Sequence, residues 1–369
     1  FIKYNQTKFS IFMTKTYLFD FLEYSRCSTT YDASTKPRED SVQSFGESGV
    51  VCLSPKYISF SGSRNNLVSS LKHLWNNALL KLQFAMGRFA VKESIVFMQY
   101  PQYSLKPENF EFVTKYFKQR GNKVIFFVHD LNALRYKEKS YGDSLLFQLA
   151  DMCILHSQKM VEECKKYGYE GPAIVLEFFD YLSDYEIPCQ TDLRKVKLIF
   201  AGNLNKSIFL ADFCKEDIFD EMFQMYLYGG SCDFVLSHHI IYKGRFSPSS
   251  INEIEGNWGL VWDGESVNTC NGIMGEYQMI NAPFKFSLYL AANRPVIVWS
   301  KSAMAEYVRK YHLGICVDSL KDIPVTVAAL TNDELLTIVT SVKEVSKQVR
   351  TGVKLKNAIC NAIELCVNG

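Results

Sequence analysis

Short apolar runs alternate with segments of helical periodicity along most of the chain. In the first half, apolar runs at residues 15–21, 50–53, 94–99, 123–128 and 152–155 predict strands, and apolar residues at helical spacing predict helices at 67–89, 109–120, 144–150 and 157–167. Strands that alternate with helices in this way form parallel sheets covered by helices on both faces. The sequence therefore predicts an α/β fold.

The alternation pauses at residues 178–194, a polar segment that predicts an interdomain linker. A second set follows, with strands expected at residues 196–200, 225–228, 234–236, 260–262, 296–299 and 315–317 and a nearly all-helical tail at 333–367. For 369 residues, two domains joined near residue 185 are the expected organisation. Such domains enclose a cleft, and ligands of parallel sheets bind beyond the carboxyl ends of the strands.

The turn after the first strand of the second set reads AGNLNKS, residues 201–207. Gly202 allows close approach of the backbone to a ligand, and Asn203, Lys206 and Ser207 offer hydrogen-bond donors. The turn therefore suits a phosphate group at the start of a helix, although the P-loop spacing is absent. An ordinary turn with a solvated lysine explains the same residues, and both interpretations stay open.

Two other strand ends in the second set carry candidate ligand-binding residues. Asp263 follows the run GLVW, where its carboxylate would bind sugar hydroxyls or a ribose, or would cap a helix or turn. Tyr228, followed by two glycines, begins a turn that would admit a flat ring.

The stretch NAPFKFSLYLAANRPVIVW, residues 281–299, predicts a helix followed by a buried strand. Asn281 is expected to cap the helix, and Asn293 to end it in a left-handed conformation. Lys285 then lies in the first turn, where a cation opposes the helix dipole. Either an external anion binds this lysine, which together with Lys206 would neutralise a diphosphate, or the side chain reaches solvent or pairs with a carboxylate.

In the first half, His129 and Asp130 directly follow the strand predicted at 123–128. At the carboxyl end of a strand, Asp130 would act as a general base or would cap the next helix. The loop after the first strand includes Lys36 and Arg38, which would touch an acceptor or a phosphate, or remain solvated. Lys36, Arg38 and His129 are the residues expected on the acceptor side of the cleft.

Composition narrows the class of protein. The net charge of +2 comes without a long basic run, which excludes a nucleic-acid footprint, and no apolar run reaches the length of a membrane span. The eleven scattered cysteines fit reduced thiols and a cytoplasmic location. The first residues have no signal-peptide pattern, and Met13 is a candidate natural start.

Several missing motifs are also informative. The chain has no Asp-x-Asp for a metal-bridged diphosphate, no G-x-G-x-x-G after a strand and no G-x-S-x-G. His238 and His239 are adjacent but lack an evident third ligand. We therefore expect neither a metal nor a cofactor.

Several stretches together resemble a family of bacterial glycosyltransferases that includes β-1,6-galactofuranosyltransferases of surface polysaccharides and glucosyltransferases that extend adhesin glycans. The stretches are QYPQY, FVHDLNALR, FAGNLNKSIF, YGG, YKGRFSP, GLVWDG and CNGIMGEYQMINAPFKFSLYLAANRPVIVW. The resemblance runs from about residue 14 to the end, densely in the second half.

The resemblance implies the GT-B architecture, two Rossmann-like domains around a deep cleft. Residues 14–180 would form the acceptor-binding domain, residues 195–345 would bind a UDP-sugar without a metal, and residues 346–369 would form a helix packed back on the first domain. By motif position, Lys206 and Lys285 resemble diphosphate contacts, and Tyr228 and Asp263 resemble donor-pocket residues. Two departures are Phe284, where the family often has histidine, and the absence of a glycine-rich turn in the N-terminal loop.

The hypothesis is therefore a transferase that moves galactofuranose or glucose from a UDP-sugar to a glycan acceptor in bacterial surface polysaccharide or glycoprotein synthesis. A lipid-linked acceptor would bring the protein to the inner face of the membrane, and the resemblance suggests a homo-oligomer. The main alternative is a non-catalytic GT-B-like subunit that stabilises another glycosyltransferase. A sugar-nucleotide oxidoreductase is disfavoured because the glycine fingerprint is missing.

Overall fold

The computed structural model describes residues 14–21, 35–57, 67–102, 105–136, 143, 146, 148–190, 192–234 and 236–368. Met13, position 34 of the N-terminal loop and part of the helix predicted at 144–150 lie outside these residues. The described strands form two sheets of six parallel strands each. The two sheets account for the alternating pattern in the two halves of the chain.

The first sheet has the strand order β2-β1-β3-β4-β5-β6. Its strands are β1 Thr16–Phe19, β2 Val51–Leu53, β3 Ile95–Tyr100, β4 Lys123–Val128, β5 Met152–Leu155 and β6 Ala173–Val175. The helices with it are α1 Lys36–Glu47, α2 Leu67–Ala85, α3 Pro107–Lys118, α4 Asn132–Tyr136 and α5 Gln158–Lys166. Strands β3 and β4 are almost entirely buried, as expected where helices cover both faces of a parallel sheet.

The second sheet has the order β12-β11-β10-β7-β8-β9. Its strands are β7 Val196–Ala201, β8 Phe223–Tyr228, β9 Ile240–Gly244, β10 Trp258–Val261, β11 Val296–Trp299 and β12 Gly314–Val317. The helices are α6 Phe209–Phe213, α7 Gly272–Tyr277, α8 Phe284–Ala291, α9 Ala303–Tyr311, α10 Ile323–Ala329, α11 Asn332–Arg350 and α12 Val353–Asn368, with single 3₁₀ turns at Ile251–Glu253 and Leu320–Asp322.

The predicted strand at residues 234–236 is wrong. Phe234 and Leu236 lie outside any strand and pack, half-buried, against the core from a loop, so their apolar character serves a loop contact. The neighbouring strand is β9, Ile240–Gly244, instead. The sequence analysis also missed the short elements β6 and α4.

Two crossings of the chain connect the halves, and they lie side by side. The linker after β6 forms the first crossing, and the junction between α11 and α12 forms the second. Tyr181 N donates to Val349 O at 3.1 Å, and Ser183 N donates to Arg350 O at 3.3 Å. Beyond the junction, α12 packs against α1 and β6 of the first half.

A buried carboxylate fixes the start of α12. Asp180 in the linker accepts the backbone N–H groups of Leu355 at 2.8 Å and Lys354 at 3.4 Å. These N–H groups have no partner within the helix, so the side chain acts as a cap from another part of the chain. The linker and α12 are therefore held as one unit.

Within the described residues, no single helix is long and apolar enough to span a membrane. By length and composition alone, the bent pair Leu320–Ala329 and Asn332–Arg350, with 111° between its helices, passes the same test.

Candidate active site

A cavity of about 820 Å³ lies between the two halves, at the carboxyl ends of both sheets. The first half contributes Pro37, Arg38, His129, Asp130, Arg135, Tyr136 and the linker residue Phe179. The second half contributes Gly202, Asn203, Lys206, Ser207, Asp263, Met274 and the segment 281–285. Most of the predicted site residues are thus brought together at one cavity.

The turn at residues 201–207 lines the cavity on the side of the second sheet. Asn203 Oδ1 accepts the backbone N–H of Lys206 at 3.1 Å, and Ser207 Oγ donates to Asn203 O at 2.9 Å, so side chains of the turn stabilise its own backbone. Gly229 lies against it: a Cβ at this position would come within 2.2 Å of Gly202 O. The glycine after Tyr228 therefore allows two neighbouring strand ends to approach closely.

Lys285 lies in the first turn of α8, as predicted, but it is paired. Its Nζ lies 2.6 Å from Asp263 Oδ1 and 4.7 Å from the centre of the Phe200 ring. Both charged side chains are partly exposed to the cavity, at 15% for Lys285 and 25% for Asp263. The carboxylate that the sequence analysis kept open as a partner is therefore Asp263 itself.

The predicted cap of this helix is wrong. The helix starts at Phe284, its cap position is Pro283 with no capping side chain, and Asn281 Oδ1 is buried without a hydrogen-bond partner. The backbone before α8 is extended at Pro283, so Asn281 lies too far upstream to reach the first turn. At the other end, Asn293 has the left-handed φ of 58° that the sequence predicted.

Tyr289 fixes α8 over the sheet. Its hydroxyl accepts the backbone N–H of Ala201 at 2.9 Å, and its ring covers Gly259, where a Cβ would approach within 2.2 Å. The same residue therefore positions the helix that carries Lys285 and the turn that follows β7.

Asp130 joins the two halves at the opposite wall. Its Oδ2 lies 2.6 Å from Arg135 Nη1, and its Oδ1 accepts the Tyr277 hydroxyl at 3.2 Å. The same hydroxyl accepts the backbone N–H of Leu131 at 2.9 Å. Burial raises the pKa of Asp130, while Arg135 and Tyr277 oppose this change.

His129 lies at the end of a buried chain of hydrogen bonds. Asp20 accepts Gln99 Nε2 at 2.6 Å, which turns the amide oxygen of Gln99 toward His129 Nε2, also at 2.6 Å. A carboxylate only accepts hydrogen bonds, and so does the amide oxygen. His129 Nε2 must therefore carry the proton, which leaves the lone pair on Nδ1.

The surroundings of His129 keep it neutral. The ring stacks on Phe179, with ring centres 5.5 Å apart and an interplanar angle of 15°. Burial, followed by the nearby Arg38 and His156, lowers the pKa of His129 well below its ordinary value. Nδ1 of the neutral ring is therefore a hydrogen-bond acceptor, and His129 is one of the residues that line the cavity on the side of the first domain.

Two predicted residues are not on the cavity wall. The Lys36 ammonium is buried, 2.9 Å from Asp40 Oδ1, and donates to Leu182 O at 3.0 Å, so it fixes the linker. Tyr228 is buried and its hydroxyl accepts the N–H of Glu255 at 2.8 Å. Lys36 and Tyr228 therefore make structural contacts here, and their expected roles on the acceptor and donor sides stay predictions.

The sequence analysis missed several site residues. Arg135 carries a recognisable signal, because it follows Asp130 within the stretch FVHDLNALR. Tyr277, Gln99 and Asp20 carry none, since each acts through a partner distant in the chain. Among the described residues, no group of three histidines, cysteines, aspartates or glutamates is placed to hold a metal ion.

Two Rossmann-like domains that face a cleft in this way form the GT-B architecture of glycosyltransferases. The chain belongs to the Glucosyltransferase 3-like family, whose N-terminal domain matches residues 28–178 and whose C-terminal domain matches residues 198–362, and the protein is a glycosyltransferase. This confirms the resemblance found in the sequence.

The chain is similar to the β-1,6-galactofuranosyltransferase WbbI of Escherichia coli K12, with 31% identity over 254 residues, 66% of this chain and 72% of WbbI. Among solved structures, sucrose-phosphate synthase from Thermosynechococcus elongatus superposes with a TM-score of 0.60 at 10% identity, over 96% of this chain and 99% of that one. HepE of Anabaena, solved with UDP and glucose, has a TM-score of 0.54 at 11% identity, over 95% and 99%. These structures confirm the fold.

Proposed function

We propose that the protein transfers a hexose, galactofuranose or glucose, from a UDP-sugar to a glycan acceptor of bacterial surface polysaccharide or glycoprotein. The observation that carries the proposal is the second-domain wall of the cavity, where the start of α8 with Lys285 and the turn 201–207 meet. WbbI and the family name motivate the two candidate sugars, and the HepE complex motivates UDP.

The diphosphate would bind at this wall without a metal ion. Lys285, the N–H groups at the start of α8 and Lys206 would supply the positive charge. The leaving diphosphate gains charge as the glycosidic bond to it breaks, so these groups stabilise the transition state more than the ground state. Asp263 would then exchange its pairing with Lys285 for contacts to hydroxyls of the donor.

The acceptor would bind on the first-domain wall. If the transfer inverts the anomeric centre, a base must take the proton of the attacking hydroxyl. We assign this role to Asp130, because burial raises its pKa and makes the carboxylate a stronger base. His129 Nδ1 and Arg38 would orient acceptor hydroxyls. We also propose a cytoplasmic location, which the scattered arrangement of the eleven cysteines favours.

The first test is the thermal shift of the purified chain with UDP, GDP, ADP and a panel of UDP-sugars, in the presence of a chelator. A ligand that binds only the folded state raises the melting temperature with its occupancy. We expect a UDP-selective shift. The absence of any shift at millimolar nucleotide contradicts the catalytic proposal and favours the partner-subunit alternative.

Asp130→Asn tests the assignment of the base. We expect turnover to fall by about 10²–10⁴-fold while the UDP-induced shift is retained. Unchanged turnover excludes Asp130 as the base.

A further inference from the structure

Helix α2 carries an apolar stripe on its outer face. The stripe consists of the exposed residues Leu71, Leu74, Trp75, Ala78 and Leu82 of the helix and Met86 directly after its end, with exposed fractions that reach 68% at Trp75 and 76% at Met86. At 100° per residue these positions fall within one third of the helix circumference. The opposite face packs into the first-domain core through Leu80 and Phe84. The helix is therefore apolar on both sides, and among the residues that the structure describes only the inner side is packed against the core.

The segment around this stripe has a charge pattern unlike the rest of the chain. Residues 48–92 contain no aspartate or glutamate, although the whole chain has 41 basic and 39 acidic residues. The same segment contains the basic residues Lys56, Arg64, Lys72, Lys81, Arg88 and Lys92.

Hydrogen bonds bring part of this positive charge to the end of the stripe. Gln83 of α2 pairs with the backbone of Lys56 at 2.7 and 3.0 Å. Arg88 donates to Ser54 O at 3.1 Å. On the helix itself, the exposed Lys81 lies next to Leu82. Lys56, Lys81 and Arg88 therefore lie at the border of the apolar stripe. The segment that contains them, residues 48–92, has no aspartate or glutamate to offset their charge.

From this combination we propose that the outer face of α2 binds an anionic lipid surface. A helix with an apolar face that includes tryptophan, bordered by lysine and arginine, lies in the plane of a bilayer interface. Lysines and arginines near such a surface are attracted by its negative potential. Pairing with a second copy of the chain across a twofold axis would oppose two basic segments, which is unfavourable.

Trp75 is a built-in probe of this contact. The other three tryptophans, Trp258, Trp262 and Trp299, are buried in the second-domain core, so a change in emission on lipid binding reports Trp75. With the whole chain and vesicles of phosphatidylcholine mixed two to one with phosphatidylglycerol, we expect cosedimentation, a blue shift of emission and protection from acrylamide. Vesicles of phosphatidylcholine alone should bind several-fold less, and high salt should release the protein.

Two variants and a matched control test the surface itself. Leu74→Glu and Lys81→Glu should each lower partitioning to the mixed vesicles by roughly tenfold or more. Leu336→Glu, which changes an exposed leucine on α11 in the second half, should bind like the unaltered chain. All three should keep the melting temperature and the UDP-induced shift, so failure of lipid binding is distinguishable from failure of the donor site.

Three results overturn the proposal. One is the absence of binding to the mixed vesicles. Another is equal loss in the control variant. The third is a dimer in lipid-free solution that Leu74→Glu dissociates, because the face is then an interface between copies of the chain.

Discussion

Lys285 and Asp263, 22 residues apart in the chain, form an ion pair of 2.6 Å at the carboxyl edge of the second sheet. The Lys285 ammonium interacts unfavourably with the dipole of α8, because it lies in the first turn of the helix. The carboxylate of Asp263 offsets this interaction. A diphosphate offers more negative charge than one carboxylate. The pair is therefore suited to exchange partners when a nucleotide binds.

We predict that Lys285→Met weakens UDP binding by about 10- to 100-fold, because it removes a charge-assisted contact of about 1.5–3 kcal/mol. Calorimetry with UDP measures the change. Lys301→Met, at an exposed lysine of the same half, is the control and should leave the affinity unaltered. Equal affinity for Lys285→Met and the control would place the diphosphate elsewhere.

The hydrogen-bond chain predicts the tautomer of His129. In ¹⁵N-labelled protein, long-range correlation spectra should show a neutral ring with the proton on Nε2 across the neutral pH range. Asp20→Asn removes the group that orients Gln99, because an asparagine can either donate or accept, so a mixture of tautomers should appear.

The same variant should lower turnover while UDP affinity stays constant, since the acceptor side alone is changed. A purely structural role for Asp20 would lower stability without altering the tautomer of His129. Observation of the Nδ1-protonated form in the unaltered protein would contradict the assigned orientation of Gln99.

Gly259→Ala should destabilise the second domain by about 1–3 kcal/mol, because the new methyl group overlaps the Tyr289 ring. Denaturant unfolding measures the loss. Gly46→Ala in α1 is the matched control: a Cβ there meets no atom within 4 Å, so the change should be neutral or stabilising. If Gly259→Ala behaves like Gly46→Ala, Tyr289 does not fix α8 as described.

We predict that the stability of the folded protein depends on pH through the buried carboxyl group of Asp180. Burial raises the pKa of this carboxyl to about 7, despite the N–H groups of Leu355 and Lys354 and the charge of Lys354. The folded protein therefore holds a proton that the unfolded chain releases near the ordinary value of about 3.8. This contribution is complete below that value and is lost as pH rises through about 7.

Melting temperatures at pH 5 and pH 8 test this expectation. Asp180→Asn keeps an acceptor for α12 and removes the proton, so the variant should lose less stability than the unaltered chain as pH rises. Asp184→Asn, at an exposed position of the same linker, should retain the original pH dependence. An unaltered dependence in Asp180→Asn would assign it to other groups.

Local rules in the sequence predicted much of the fold. The strands β4, β5 and β11 coincide with their predicted bounds because each is a compact buried run, and Asn293 ends α8 as its residue type suggests. The prediction of Asn281 as the helix cap was wrong because the helix begins at Phe284, so Pro283 occupies the N-cap position and Asn281 lies two residues before it.

Site residues were predicted only where a local feature of the sequence marks them. Asp130 and the turn 201–207 directly follow strands, Lys285 lies in the first turn of a helix, and all of them line the cavity. Hydrogen bonds between residues that are distant in the sequence could not be predicted. Asp130 and Tyr277 are 147 residues apart in the chain, and Gln99 and Asp20 are 79 residues apart. The contact of Lys36 with the linker could not be predicted, because the linker becomes adjacent to Lys36 only after the chain folds.

The two side-by-side crossings of the chain limit how the cleft can change shape. Backbone hydrogen bonds from Tyr181 and Ser183 to the end of α11 tie the crossings together, and Asp180 ties the linker to α12. Two halves joined along one edge in this manner can rotate relative to each other about that edge, which acts as a hinge. Sliding or twisting of one half past the other would break these bonds, whereas a small rotation about the shared edge widens the far side of the cavity and leaves them intact. Donor entry and product release should therefore occur through the side of the cleft opposite residues 180–183 and 349–355.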